Sequence, residues 1–561
     1  MIFESKLPRI SVPNVNLVQF VLDECKSRTQ ATDPVFVDSE SNECITVEQL
    51  EVLVHGLANG LRKCGINEGD VVATVAGNSI YYPFVAYGII AAGKWAVCTP
   101  ANPSYTPREL AHQLANAQCK AIVVGDGMLD VVMQALDLLE CPIEHVWALD
   151  ESRTNGPTSI FRMLTDSAPA FAPTHADSAA YLCYSSGTTG KPKGVILTHS
   201  NMIANAMQIN GLKQLDIGTR SNMIANAMQM NGQINGQINA IKQLDIGTHV
   251  RETYLGLAPF CHAYGLSYVL HSSVSLGGRI IVMRTYSFPL FLQAIHAHRI
   301  TFGYVVPPIV CALSKDARVA DYDLSSMHTV LSGGAALSPT LIETAEERLG
   351  VRVIQGYGMS EMSPAVTMLS TVHKNAASVG ILLPSCQAKV VDGEGRALGP
   401  NAHGELCFRG PNVMPAYYNN PLATRDIFDS AGFLHTGDIG YVDAAGFFYI
   451  SDRKKEIIKY KGFQIAPSEL ESLLAEHPDI YDAAVMPVYD SSQATEIPRA
   501  YFVLKHRGAS DQDRAQRIVE WLHERVAKYK RLRGGFVLID HIPRSPAGKI
   551  IRASLKDIEH I

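Results

Sequence analysis

The apolar residues of the first 180 positions follow two alternating rhythms. Between 46 and 64 they recur every three to four residues, the period of a helix with one buried stripe, while 71–76 is a short continuous run of strand length. Helical patterns at 80–92 and 106–116 and strand patterns at 95–98 and 121–124 continue the alternation. Strands that alternate with helices predict an α/β domain on a largely parallel sheet. The longest apolar stretch, 82–100, contains Lys94 and several small residues, and it predicts a buried helix and strand rather than a membrane span.

Two further strand patterns, 179–184 and 195–198, bracket the loop Tyr184-Ser185-Ser186-Gly187-Thr188-Thr189-Gly190-Lys191-Pro192-Lys193-Gly194. Glycines let backbone N–H groups close on phosphate oxygens, the hydroxyls donate hydrogen bonds and the lysines supply charge, so the loop has the chemistry of a polyphosphate cradle. It is not a Walker A loop, because Lys191 is followed by proline and then by a strand pattern. As a whole, YSSGTTGKPKGVILTHSN closely resembles the phosphate-loop signature of the adenylate-forming superfamily, closest in motifs to 4-coumarate-CoA ligase-like enzymes. Four further motifs come in the order of that superfamily, so the resemblance spans about residues 30 to 552.

The resemblance implies a role for each motif. Ser185, Ser186, Gly187, Thr188, Thr189 and Lys193 hold the ATP phosphates. In Gln355-Gly356-Tyr357-Gly358-Met359-Ser360-Glu361, Gln355 and Gly356 lie at the nucleotide, Tyr357 stacks on adenine, Ser360 bonds the α-phosphate and Glu361 helps to hold Mg2+. Asp438 and Arg453 form a ribose clamp. Beyond it Lys455 is a hinge, Lys459 and Gln464 meet the acyl-adenylate, Lys461 and Gly462 lie by coenzyme A, and Lys549 in Pro-Arg-Ser-Pro-Ala-Gly-Lys is the catalytic lysine. His262 gates the acyl pocket, which Tyr264, Gly334, Gly358, Pro364, Ala365 and Met368 line. Two positions depart from the superfamily pattern: Ala336 stands where proline is usual and Ser360 where threonine is usual; the hydroxyl at 360 is kept.

The implied fold is α/β and multidomain. Residues 1–452 form a large adenylation domain of layered sheets with a small β-barrel-like part, and 453–561 a small mobile α+β lid. The implied function is ATP-dependent activation of a small-molecule carboxylic acid, then transfer to a thiol. Coenzyme A leads as acceptor; loading of an acyl-carrier phosphopantetheine and a non-catalytic adenylate-binding homologue are the alternatives. For the acid, an aromatic class leads over a medium or long fatty class.

Composition narrows the rest. A net charge of −6 gives no general nucleic-acid footprint, so anionic ligands depend on local basic groups. Eleven cysteines without a CxxC pair suit a reducing compartment and suggest no zinc site. No signal-peptide pattern, integral membrane segment or peroxisomal tripeptide is read, and the expected location is cytoplasmic. One feature departs from the superfamily: SNMIANAMQ occurs at 200–208 and at 221–229, and KQLDIGT at 213–219 and at 242–248. The surplus of about 21 residues is expected as a protruding or disordered loop, since loop closure costs little.

Overall fold

The computed structural model describes residues 1–92, 96–140, 142–149, 156–165, 176–185, 192–230, 251–335, 337–373, 375–453, 456–460, 463–490, 495–506, 508, 510–545, 548–556 and 558; for 215–230, 452, 453, 463, 464, 553 and 556 it describes the backbone alone. Among these residues two large sheets dominate. Seven strands run in the order Lys193–Thr198, Ala179–Ser185, Val97–Ala101, Val71–Val75, Cys119–Val124, His145–Ala148 and Thr158–Ser159, and nine strands make the second sheet, its centre parallel. The elements that carry the site are β1 (Ala179–Ser185), β2 (Lys193–Thr198), α1 (His199–Met230), β3 (Thr253–Gly256), β4 (Phe302–Val305), β5 (Thr329–Ser332), β6 (Arg352–Gly358), β7 (Ala365–Met368), β8 (Leu434–Val442) and β9 (Phe448–Arg453).

The layers reflect the two-residue period of strands. Phe36 faces one apolar cluster and Val37 another. The inner cluster takes residues from both sheets and from the helices Leu17–Lys26, Val47–Lys63 and Tyr82–Ala91 between them. Every residue of Tyr82–Ala91 is buried, which accounts for its all-apolar sequence. The expected 46–64 helix is Val47–Lys63, started by a capping box in which the Thr46 side chain and Gln49 serve each other's backbone N–H groups. The strand expected at 95–98 is observed as Val97–Ala101. No described helix is long and apolar enough to cross a membrane.

A five-stranded antiparallel sheet, which ends in β8 and β9, completes the large body. A smaller α+β body comes next, with its own core from Ile458 to Leu532 around the strands Ile480–Asp490, Thr495–Leu504 and Phe536–Leu538. It docks on the large body through named contacts. Lys315 Nζ donates to the carbonyl of Ala475 at 3.0 Å, and the Thr340 hydroxyl donates to Glu476 at 3.1 Å.

The duplicated segment is not the expected loop. Helix α1 continues for 32 residues, through the first copy of SNMIANAMQ and through the second. Ala, Met and Gln in both copies favour helix, and no proline separates them. The first copy does the docking: Met202, Ile203, Ile209 and Leu212 are buried. Asn201, Asn205 and Gln208 serve the carbonyls of Pro411, Ala365 and Pro384. Residues 231–250, with the second KQLDIGT, lie outside the described residues.

Candidate active site

The phosphate loop is held at its two ends by an antiparallel hairpin, β1 and β2, with Lys193 opposite Ser185. Beyond β2 the chain segment around Tyr417 pairs with its free edge: Tyr418 N donates to Gly194 O at 2.7 Å and Ile196 N to Ala416 O at 3.2 Å. This edge contact brings four side chains together. Glu361, only 3 % exposed, accepts from the Ser185 hydroxyl at 2.9 Å and from the Tyr417 hydroxyl at 2.8 Å, both on Oε1. The Lys193 ammonium lies 5.1 Å from the centre of the Tyr417 ring. Burial and the adjoining Glu361 carboxylate push the Tyr417 phenol well up, so it stays a donor.

Among the described residues Glu361 Oε2 accepts no hydrogen bond. A buried carboxylate with one oxygen left over fits a Mg2+ ion, which usually takes one or two carboxylates and completes its shell with substrate phosphates and water. Glu361 would hold that ion, whose charge would offset that of the phosphates.

The nucleotide side assembles in the same way. Asp438 on β8 is the register partner of Arg453 on β9, so the fifteen-residue spacing in sequence is a cross-strand pair. The Tyr357 hydroxyl donates to Asp438 Oδ2 at 2.5 Å. Ser360 begins a short turn that leaves β6 and leads to Glu361. Gln355 has a different duty: its carbonyl accepts from Leu337 N at 2.9 Å and its amide donates to Ala376 O at 3.0 Å. The side chain therefore helps to fix the turn after β5.

For the acyl side, Tyr264 lies over Gly333, where a Cβ would come within 3.1 Å of the ring, and its hydroxyl reaches the carbonyls of Leu331 and Val305 at 3.1 and 3.3 Å. Gly334 lies in the same turn. Gly358 has a packing reason of its own: a Cβ there would sit 1.7 Å from Pro364 O, because β6 folds straight back into β7 with Ala365 and Met368. His262 is half-buried, and its buried Nε2 has no hydrogen-bond partner among the described residues. Its pKa falls through burial and, next, through the nearby Lys549 cation.

Lys549 belongs to the small body. The turn that carries it is braced by Arg544, which bonds both oxygens of Asp482 and donates to Gly548 O at 2.9 Å. The turn meets the large body at the end of β4, where a Cβ on Gly548 would sit 3.0 Å from Val306 Cβ. Lys459 is exposed on the strand Ile458–Tyr460, opposite Gln464 in register. Ser186, Gly187, Thr188, Thr189, Lys455, Lys461 and Gly462 lie outside the described residues, as do the side chains of Arg453 and Gln464. Tyr417, Arg544 and Asp482 were not singled out from sequence. Tyr417 stands 56 residues from Glu361, and tertiary contacts join them: the pairing at the β2 edge and the bond from Met414 N to Glu361 O at 2.9 Å.

Comparison with known sequences gives this arrangement its family. The profile described as "AMP-binding enzyme" matches residues 23–418, and that described as "AMP-binding enzyme C-terminal domain" matches 469–549. The chain belongs to the AMP-binding enzyme family. This AMP-binding enzyme stands close to 4-coumarate-CoA ligase-like proteins of the adenylate-forming superfamily and is an AMP-forming acid–thiol ligase. It is 36% identical to "4-coumarate--CoA ligase 3" of Arabidopsis thaliana, over 99% of this chain and 93% of the relative. It is 32% identical to "Probable 4-coumarate--CoA ligase 1" of Dictyostelium discoideum, over 99% and 97%. In fold it is similar to the anthranilate CoA ligase AuaEII in complex with anthranoyl-AMP, with a TM-score of 0.83, 22% identity and 98% of each chain covered.

Proposed function

We propose that this enzyme joins a carboxylic acid to ATP to give an acyl-adenylate and pyrophosphate, and then passes the acyl group to the thiol of coenzyme A with release of AMP. The observation that carries the reading is the approach of the Lys549 turn to Val306 and His262 while Ser185 and Tyr417 bond Glu361 and Tyr357 bonds Asp438. In the first half-reaction a carboxylate oxygen attacks the α-phosphorus, and both partners are anions. No proton has to move, so the work is positioning and charge compensation. Lys549 from the small body and Lys193 with the loop hydroxyls from the large body supply it.

The thiol must reach the activated carbonyl from another side. We assign the hinge at Lys455 to a turn of residues 453–561 that withdraws Lys549 and brings the 459–464 hairpin toward the acyl group. The relatives' names and the aromatic lining around Tyr264 support an aromatic acid, with the aryl-propenoic class first. Pyrophosphate exchange over a panel of aromatic and fatty acids, then thioester formation with coenzyme A and with a phosphopantetheinylated carrier protein, tests the reading. Exchange with aromatic acids and thioester with free coenzyme A are expected; transfer to the carrier alone would assign the alternative acceptor, and no exchange with any acid would reject the function.

A further inference from the structure

Behind the tyrosines of the acyl side the structure holds a charged group that the superfamily resemblance does not account for. Tyr254 on β3 and Phe302 on β4 are register partners, and Tyr304 stands two positions after Phe302, so the three rings share one face of the sheet. Helix α1 sets Lys213 over them. Its Nζ lies 4.9, 4.8 and 5.2 Å from the centres of the Tyr254, Phe302 and Tyr304 rings and donates to the Tyr304 hydroxyl at 2.6 Å.

The neighbours set the hydrogen-bond directions. Ser273 Oγ donates to Tyr268 O at 2.8 Å, so in the 2.9 Å contact between Ser273 and Tyr304 the phenol is the donor. Tyr304 is thus the acceptor for Lys213. Among the described residues Lys213 makes no other hydrogen bond, and its remaining N–H groups meet ring faces. This cluster is continuous with the acyl side: Tyr304 is 6.3 Å from Tyr264 and 5.5 Å from Tyr268 between ring centres, and the Tyr268 hydroxyl reaches Met368 Sδ at 4.0 Å.

Resting on the ligase reading above, we propose that Lys213 is a specificity-determining residue at the deep end of the acyl pocket, where it selects an aromatic acid that bears a hydroxyl remote from its carboxylate. An apolar tail that arrived there would desolvate an amine and give it nothing in return. A second carboxylate would meet the charge of Glu252, which bears on Lys213 and is itself held by His328 at 3.1 Å. A hydroxyl avoids both penalties. Burial pulls the Lys213 pKa down to about 7, with Glu252 opposing, so ammonium and amine coexist near neutrality, and a hydroxyl can accept from the one and donate to the other.

The test compares thioester formation by the full-length wild type, Lys213→Met and Tyr304→Phe with a 4-hydroxylated aryl-propenoic acid, its unsubstituted analogue, an aryl dicarboxylic acid and a medium-chain fatty acid. The ratio of kcat/KM for hydroxylated over unsubstituted acid is expected to fall by about tenfold or more in Lys213→Met, chiefly through KM, as befits loss of a hydrogen bond to a substrate hydroxyl. Tyr304→Phe, which keeps the ring but frees the amine from its anchor, should lower the ratio in the same direction. Equal ratios in all three proteins, or a wild-type preference for the dicarboxylic or fatty acid, would overturn the assignment of Lys213 while leaving the ligase reading intact. A wild type that forms no thioester with any acid would remove the ligase reading itself, and the inference with it.

Discussion

Glu361 is a carboxylate only 3 % exposed, and such burial is costly unless the oxygens are served. Two hydroxyls, from Ser185 and Tyr417, bond one oxygen and orient the other. Tyr417→Phe removes the better buried donor, and losing such a bond to a charged group costs roughly 1.5–3 kcal/mol. Pyrophosphate exchange should accordingly fall by about tenfold or more, with a higher Mg2+ concentration needed for half-maximal rate; an unchanged Mg2+ dependence would separate Tyr417 from ion binding. In the proposed function Lys549 is a different kind of residue, one that acts on charge in the transition state. Lys549→Ala should lower exchange by about 100-fold or more while the ATP dissociation constant shifts only a few-fold. A normal exchange rate would end its assignment. Of these residues, sequence showed Glu361, Ser185 and Lys549 through local motifs. Tyr417 carries no local motif, and its partner is distant in the chain.

Among the secondary-structure elements, helix α1 is where sequence and structure part most clearly. The repeat was visible, but its conformation depends on whether a groove exists for one copy and whether helix can run on into the next. Loop entropy alone gave the wrong preference. The first copy fills a groove against β7 and the 384–413 segment through Asn201, Asn205 and Gln208. Deletion of residues 200–220 joins His199 to the second copy, so SNMIANAMQ returns to the same nine positions. Three positions of the packed turn then differ: at 209 Ile gives way to Met, at 212 Leu to Gln, and at 213 Lys to Ile. The first is an exchange of similar volume and the second buries an amide. The shortened enzyme should fold and keep pyrophosphate exchange with an unsubstituted aromatic acid, which does not call on Lys213, with stability lowered by about 2 kcal/mol for the buried polar exchange at Leu212, read from urea unfolding. Failure to fold would show that the second copy cannot serve the groove.

For the molecule as a folded unit, two buried histidines make stability depend on pH. His199 accepts from Leu17 N through Nδ1, and His271 contacts the Tyr181 hydroxyl at 3.2 Å; the other nitrogen of each is buried without a partner among the described residues. Burial lowers their pKa values to about 4 and about 3, from an ordinary 6.5. Both are therefore neutral when folded at pH 7, while the unfolded chain takes up protons below 6.5. Their contribution is fully present above pH ~6.5 and is lost as pH falls toward about 4, by roughly 2 kcal/mol for each group at about pH 5. The urea midpoint should drop between about pH 7 and pH 5, and a constant midpoint would contradict the burial of neutral imidazoles. The two-body arrangement gives a second prediction. On the proposed hinge, in which only the second half-reaction requires the small body to turn, Lys455→Pro should spare exchange and impair thioester formation; equal loss of both would argue against a hinge there.

Periodicity, turn residues and short spacings are local properties of a chain, and through them the alternation of strands and helices, the order of the motifs and the chemistry each can offer were legible before any fold was known. That is why the α/β alternation and the chemistry of the glycine-rich loop could be read from residues alone, whereas the cross-strand pairing of Asp438 with Arg453 could not. Which distant groups meet was settled by tertiary packing. The edge of β2 delivers Tyr417 to Glu361, the hydrogen bonds of Gln355 commit it to the backbone, and the groove that holds the first copy of the repeat sets Lys213 among Tyr254, Phe302 and Tyr304. Each depends on contact between elements far apart in the chain, where residue spacing carries no information about what will touch.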